Sequence, residues 1–259
     1  MFCCGILIHF LQNYLKLERY KSNHFNYLAG KNEIVYRDLH RFSYADFLSR
    51  EQQLANLLTS QGVKAGDVVA VLDWDSHRYL ECFFAIPMLG AVLHTVNVRL
   101  APEQILYTMQ HAEDVFVLTN EEFLPVLEPL AKDLPLVKGY LVCQDQPAEI
   151  SSSLPLVGEY EELLAKQPAS YEFASFDENS VATLFYTTGT TGNPKGVFFT
   201  HRQLVLHTLI EATFLQAPGS DCLSRDKVYM PITPMFHVHA WCRPFTATVL
   251  GSTQVYPGE

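Results

Sequence analysis

Gly66-Asp-Val-Val-Ala-Val-Leu72, Asp75-Ser-His-Arg-Tyr-Leu-Glu-Cys-Phe-Phe-Ala-Ile-Pro-Met-Leu89 and Ala91-Val-Leu-His-Thr-Val96 follow one another almost without a break. The first and third are short, unbroken apolar runs of strand length. The second is long enough for several helical turns, and the side-chain oxygen of Asp75 or Ser76 can accept from the free amides of its first turn. Gly90 closes the helix. Strand, helix, strand with short connections is the unit of a parallel sheet covered by helices.

The rhythm continues outward. Pro102 opens a further helix, where its missing N–H costs nothing. Val115-Phe-Val-Leu118 reads as a strand, Glu121 to Leu130 as a helix and Tyr140-Leu-Val-Cys143 as a strand. Residues 144–180 change character, with Gln144-Asp-Gln-Pro-Ala, Ser151-Ser-Ser and Gln167-Pro-Ala-Ser around one short helical stretch near Tyr160 to Lys166. This is the best candidate for an internal boundary. Strands follow at Val181-Ala-Thr-Leu-Phe-Tyr186, Val197-Phe-Phe-Thr200 and Thr253-Gln-Val-Tyr256. The fold class expected is α/β, with mostly parallel sheets flanked by helices.

Composition narrows the function. With 259 residues, 48% of them hydrophobic, the chain can bury a sizeable core. Acidic residues outnumber basic ones 28 to 18 and no Lys/Arg run stands out, so nucleic acid is a poor partner. The six cysteines, Cys3, Cys4, Cys82, Cys143, Cys222 and Cys242, show no C-x-x-C spacing. Reduced thiols in a cytoplasm fit best. Met1 to Leu11 is apolar but shorter than the roughly 20 residues that span a bilayer. It has no basic region before it and no cleavage site after it, and reads as a helix start that touches a membrane at most.

Thr187-Thr-Gly-Thr-Thr-Gly-Asn-Pro-Lys-Gly196 puts three glycines, four hydroxyls and one lysine between two apolar strands. Glycines let backbone amides approach phosphate oxygens, hydroxyls add donors and an ammonium offsets phosphate charge. The loop is not a Walker A motif, because Gly196 stands where that motif has Ser or Thr. The bland alternative is a flexible Gly/Thr turn.

Tyr186 to Val197 followed by Thr200-His201 resembles the signature loop of the adenylate-forming (AMP-binding) superfamily. Pro234-Met-Phe-His-Val-His-Ala-Trp241 resembles that superfamily's next motif in its fatty acyl-CoA synthetase form. Val71 to Leu80 and His94 to Leu100 are similar to the medium- and long-chain branch. The resemblance runs from about Glu33 to Glu259, and peptide-synthetase or luciferase-like relatives fit the second motif less well.

The resemblance implies a fatty acid–CoA ligase using ATP, Mg2+ and CoA, with a homodimer or a complementing C-terminal chain as partner. Thr187 is implied as the contact to the magnesium-bound phosphates. Thr188, Gly189, Thr190, Thr191, Gly192 and Lys195 would surround the phosphates. His237, taken as catalytic, and Val238 would lie beside the acyl carboxylate and nucleotide. Trp241 would border the acyl pocket, the alternative being ordinary core packing. For His239 a solvent-facing position is preferred, since a zinc site would need further ligands. Asp73, Asp75 and His77 suit helix capping better than acid/base work. Arg243 either reaches solvent along its stem or disturbs the pocket wall.

The resemblance also implies an incomplete large N-terminal domain, with tentative lobes 33–217 and 218–259 and no C-terminal domain. The adenine and ribose contacts would then be missing, the chain would be inactive alone, and an apolar patch or open sheet edge would be exposed. The alternative function is a non-catalytic remnant that at most binds nucleotide or acyl chain.

Overall fold

A computed structural model describes residues 32–187, 192–216 and 223–259. The apolar start, Met1 to Leu11, lies outside them. Among the described residues no helix is long and apolar enough to cross a membrane.

The elements are β1 (Glu33–Tyr36), β2 (His40–Ser43), α1 (Tyr44–Ser60), β3 (Val68–Leu72), α2 (His77–Met88) and β4 (Val92–Thr95). Then come α3 (Pro102–Ala112), β5 (Asp114–Asn120), α4 (Leu124–Leu130), β6 (Tyr140–Cys143), β7 (Leu156–Glu159) and α5 (Tyr160–Leu164). The chain continues with β8 (Val181–Thr187), β9 (Lys195–Thr200), α6 (His201–Leu215), β10 (Val228–Tyr229), α7 (Arg243–Leu250) and β11 (Thr253–Tyr256). Seven strands form one sheet in the order β7-β6-β5-β3-β4-β8-β9, parallel throughout except for the antiparallel β8–β9 hairpin.

The expected α/β class is therefore what forms, for a visible reason. Along β3, Val69 and Val71 enter one apolar cluster with Phe83 and Ile86, while Ala70 and Leu72 enter another with Ile105, Met109 and Leu127. A strand buried on both faces must be apolar without alternation. Each fully buried Leu or Phe side chain in these clusters contributes roughly 1.5–3 kcal/mol of transfer free energy.

The local signals act as expected at α2 and α3. Ser76 Oγ accepts from the Tyr79 amide at 3.0 Å, and Asp73 accepts from the Ser76 hydroxyl at 2.6 Å. Pro102 stands at the start of α3. Two capping boxes not used in the sequence reading, Ser43 with Asp46 and Thr200 with Gln203, open α1 and α6.

Two features bear on how the chain is divided. The turn-rich stretch 144–180 contains a further strand, β7, which pairs with β6, and the sheet runs on through β8. The strands before and after this stretch, β6 and β8, belong to the same sheet, and β7 forms its edge. A second sheet, β10-β11-β1-β2, joins residues 33–43 to residues 228–256, so sheet membership does not follow a cut at 217/218.

Every residue of α2 is buried, including His77, Arg78 and Glu81. They are tolerated because they are paired. Arg50 binds Glu81 at 2.6 Å and Glu161 at 2.8 Å, His77 binds Glu161 at 2.9 Å, and the Arg78 guanidinium meets Asp145 at 2.5 Å. Burial pushes His77 down to about 3. Burial alone would raise Glu161, but the His77 ring and the Arg50 guanidinium hold its carboxyl at about 2. The network clamps α1, α2, α5 and the end of β6 together.

Large apolar side chains also remain outside the core. Leu206, Ile210 and Phe214 share one exposed face of α6, and Phe198, Val228, Met230 and Ile232 are exposed as well.

Candidate active site

The parallel strands β3, β4 and β8 all deliver their carboxyl ends to one edge of the large sheet, the edge at which α/β proteins bind ligands. Thr187 is the last residue of β8 and pairs with Lys195, the first of β9. Thr187 is half-buried and Lys195 exposed. Gly192 has φ +92° with open space where a Cβ would be, a backbone conformation that an L side chain adopts only with strain. Thr188, Gly189, Thr190 and Thr191 lie outside the described residues. What is visible is an exposed ammonium and a hydroxyl on adjoining stalks of one hairpin, donors suited to an anion.

The second motif reaches the same edge. Met235 donates its amide to Asp75 Oδ1 at 2.7 Å, just beyond β3, and Thr95 Oγ1 at the end of β4 donates to the Phe236 carbonyl at 3.3 Å. The His239 ring packs edge-on against Phe185 of β8 at 4.9 Å and against Phe83 at 5.8 Å, and tilts against Phe199 of β9 at 5.9 Å. Two stretches separated by some forty residues of sequence thus converge on the ends of three neighbouring strands.

Several readings of this segment need correction. His239 is fully buried and does not face solvent. Burial drives its pKa down to about 3, so it is neutral at ordinary pH. Neither ring nitrogen makes a well-formed hydrogen bond, although the Leu184 backbone lies near. Trp241 is 60% exposed, which excludes core packing. His237 is exposed and Val238 half-buried. Asp75 does not cap α2, because its carboxylate holds Met235 and burial pushes its pKa up to about 6. His77 belongs to the buried network. Arg243 pairs with Glu211 at 2.7 Å.

Val238, His239, Ala240, Trp241 and Cys242 all have positive φ, between +48° and +59°. This is a turn of left-handed helix built from L residues, each of which costs roughly 1–2 kcal/mol. Such a turn persists only where its surroundings over-determine it. The buried His239, Ala240 and Cys242, and the Asp75 and Thr95 tethers before them, are those surroundings.

A family model described as "AMP-binding enzyme" matches residues 24–259. The chain belongs to that family. This AMP-binding enzyme chain is 39% identical over 235 residues to a long-chain-fatty-acid–CoA ligase of Thermus thermophilus, covering 89% of this chain and 41% of that one. It is 38% identical over 209 residues to a medium-chain-fatty-acid–CoA ligase of Ectopseudomonas oleovorans, covering 81% and 38%. It spans about two fifths of the length of these relatives. Among solved structures, the anthranilate CoA ligase AuaEII in complex with anthranoyl-AMP superposes with a TM-score of 0.73 at 23% identity, covering 92% of this chain and 45% of that one. Coronafacic acid ligase from Pectobacterium brasiliense gives 0.75 at 16%, covering 91% and 44%. At these identities the structures show the shared fold.

Proposed function

We propose that this chain is the phosphate-binding part of a fatty acid–CoA ligase. The observation that carries the reading is the convergence of the β8–β9 loop and the 234–242 segment on one strand edge. The reaction starts with a fatty carboxylate attacking the α-phosphate of ATP. A carboxylate oxygen–phosphorus bond forms, the bond to the bridging oxygen breaks and pyrophosphate leaves. The CoA thiolate then attacks the acyl carbon and AMP leaves, with the thiol proton lost to solvent.

This chain's residues would act at the departing phosphates. Lys195, with the hydroxyls and amides of the loop, would stabilise charge as it develops on pyrophosphate. His237, at the start of the second motif, would stand beside the carboxylate with Val238, and Trp241 would offer an exposed aromatic face to the acyl chain. Among the described residues no cluster of three or more His, Cys, Asp or Glu could hold a metal ion. The Thr187 hydroxyl is the residue that would meet Mg2+, which would supply charge neutralisation at the phosphates. A second reading is a non-catalytic binder of nucleotide or acyl chain.

The test is to incubate the purified chain with MgATP, fatty acids of several lengths and hydroxylamine. Acyl hydroxamate formed by wild type and lost in Lys195→Ala supports the ligase reading. MgATP binding without hydroxamate supports the binder, and absence of both overturns the assignment of the loop.

A further inference from the structure

Tyr186 immediately precedes Thr187 and is buried, yet its hydroxyl is not idle. It bonds His111 Nδ1 at 2.7 Å, reaching across to the last turn of α3. The His111 ring also meets it edge-on at 5.8 Å, and the His94 ring of β4 lies against it at 5.3 Å. His94 is itself fixed, because its Nδ1 sits 2.9 and 3.0 Å from the two oxygens of the fully buried Asp114 carboxylate.

Across the hairpin, Tyr186 pairs with Gly196. A Cβ on Gly196 would stand 3.4 Å from the tyrosine ring, at van der Waals contact, so the ring lies directly against the Gly196 backbone. The ring is therefore held on three sides: by His111 at its hydroxyl, by His94 beside it and by Gly196 beneath. The next rung outward is Thr187–Lys195, which carries the two donors of the loop.

We infer that Tyr186 is a positioning residue, which through its bond to His111 and its seat on Gly196 fixes the Thr187–Lys195 rung and so the spacing of hydroxyl and ammonium offered to a polyphosphate. This rests on the reading that the loop takes the phosphates of ATP. If the ring only filled core space, phenylalanine would serve as well and the bond to His111 would merely satisfy a buried hydroxyl, leaving the Thr187–Lys195 rung indifferent to its loss.

Two variants separate these roles. Tyr186→Phe keeps the ring and removes the hydroxyl. His111→Ala removes the partner from an exposed position on α3, where it does not threaten folding. Amide hydrogen exchange of ligand-free protein is read at Thr187, Lys195 and Gly196, and binding of MgATP and of pyrophosphate is read by calorimetry, with Lys195→Ala as control.

Anchoring predicts that both variants speed exchange at these amides about fivefold, the factor set by one net hydrogen bond. Amides of β3 and β5 should stay as in wild type. MgATP and pyrophosphate affinity should fall by a similar factor in both variants, and the double variant should be no worse than either single one. Unchanged exchange in Tyr186→Phe and His111→Ala overturns the inference, whether or not the protein binds ATP. Faster exchange in both, with wild type binding neither MgATP nor pyrophosphate, sustains the anchor and overturns the reading of the loop.

Discussion

The β8–β9 hairpin and the 234–242 segment meet at the same sheet edge but are built on opposite principles. The hairpin is local: two strands adjacent in sequence, a ladder from Val181–Thr200 to Thr187–Lys195, and donors left in solvent. The 234–242 segment has no such ladder. Its five consecutive positive φ values are held by contacts to residues more than forty positions away, Phe83, Asp75, Thr95 and Phe185 among them. A site can thus combine a part that its own sequence specifies with a part that only its surroundings can hold in shape. The hairpin ladder should tolerate loss of the residues that enclose the 234–242 segment, and that segment should not.

The largest effect that could break this contrast is pH. His77 and His239 are lowered from 6.5 to about 3, and His201 to about 4, all chiefly by burial. The folded protein refuses protons that the unfolded chain accepts, so their contribution is complete above 6.5 and lost as pH falls from there towards about 3. Acid denaturation should show this steep limb, and His239→Leu should shift it to lower pH. Lys195→Met should leave it in place.

Next in size, Phe83→Ala removes a fully buried ring from beneath His239 and should cost about 3–5 kcal/mol in urea denaturation. Exchange should rise throughout the 234–242 segment, while the Tyr186–Gly196 rung keeps its protection relative to the whole fold. Equal loss of protection in both regions would remove the distinction between them.

A smaller test isolates the tether. Asp75→Ala leaves the buried Met235 amide without its acceptor and should cost about 1–3 kcal/mol. Asp75→Asn restores the acceptor. Because burial raises Asp75 from 3.8 to about 6, its favourable contribution is complete below 3.8 and lost as pH rises through about 6. Stability of wild type relative to Asp75→Asn should therefore decline across that window, a trend that pH-dependent melting would reveal or refute.

Relief of backbone strain comes next. Val238 is β-branched at φ +49°, an outlier for such a residue. Val238→Gly should stabilise the fold by about 1 kcal/mol, less what the lost side chain contributed to packing. Destabilisation would mean that the turn is not strained as its dihedrals imply. Smallest of all, Lys195→Met at its exposed position should move the melting free energy by less than about 0.5 kcal/mol, even where it abolishes anion binding.

Much of the fold was legible because its signals are local. The apolar runs of β3, β4, β5, β6, β8 and β11, the Ser76 cap and Pro102 all act within a few residues. β7 is hard to read because Gly158 interrupts its apolar run, and α1 and α6 are marked in sequence mainly by the Ser43–Asp46 and Thr200–Gln203 capping boxes. In the site, Thr187 and Lys195 pair at the base of the loop and Gly192 takes a positive φ, whereas His239, expected to face solvent, is buried. Nothing near His239 in sequence announces that Phe83, Phe185 and Phe199 will enclose it. His94, a lone polar residue in an apolar strand, was the one signal that could have pointed to Asp114 and Tyr186.

By itself the sequence determined the α/β units, the order of motifs and the residue types of the loop, because strand pattern and capping act through neighbouring backbone. Only the tertiary structure decided three other things. It pairs β1 with β11 across more than two hundred residues, it pins Tyr186 to His111, and it holds residues 238–242 in a left-handed turn. The physical reason is the same in each case. These arrangements are unfavourable or undefined locally, and exist because buried partners distant in the chain stabilise them by more than they cost.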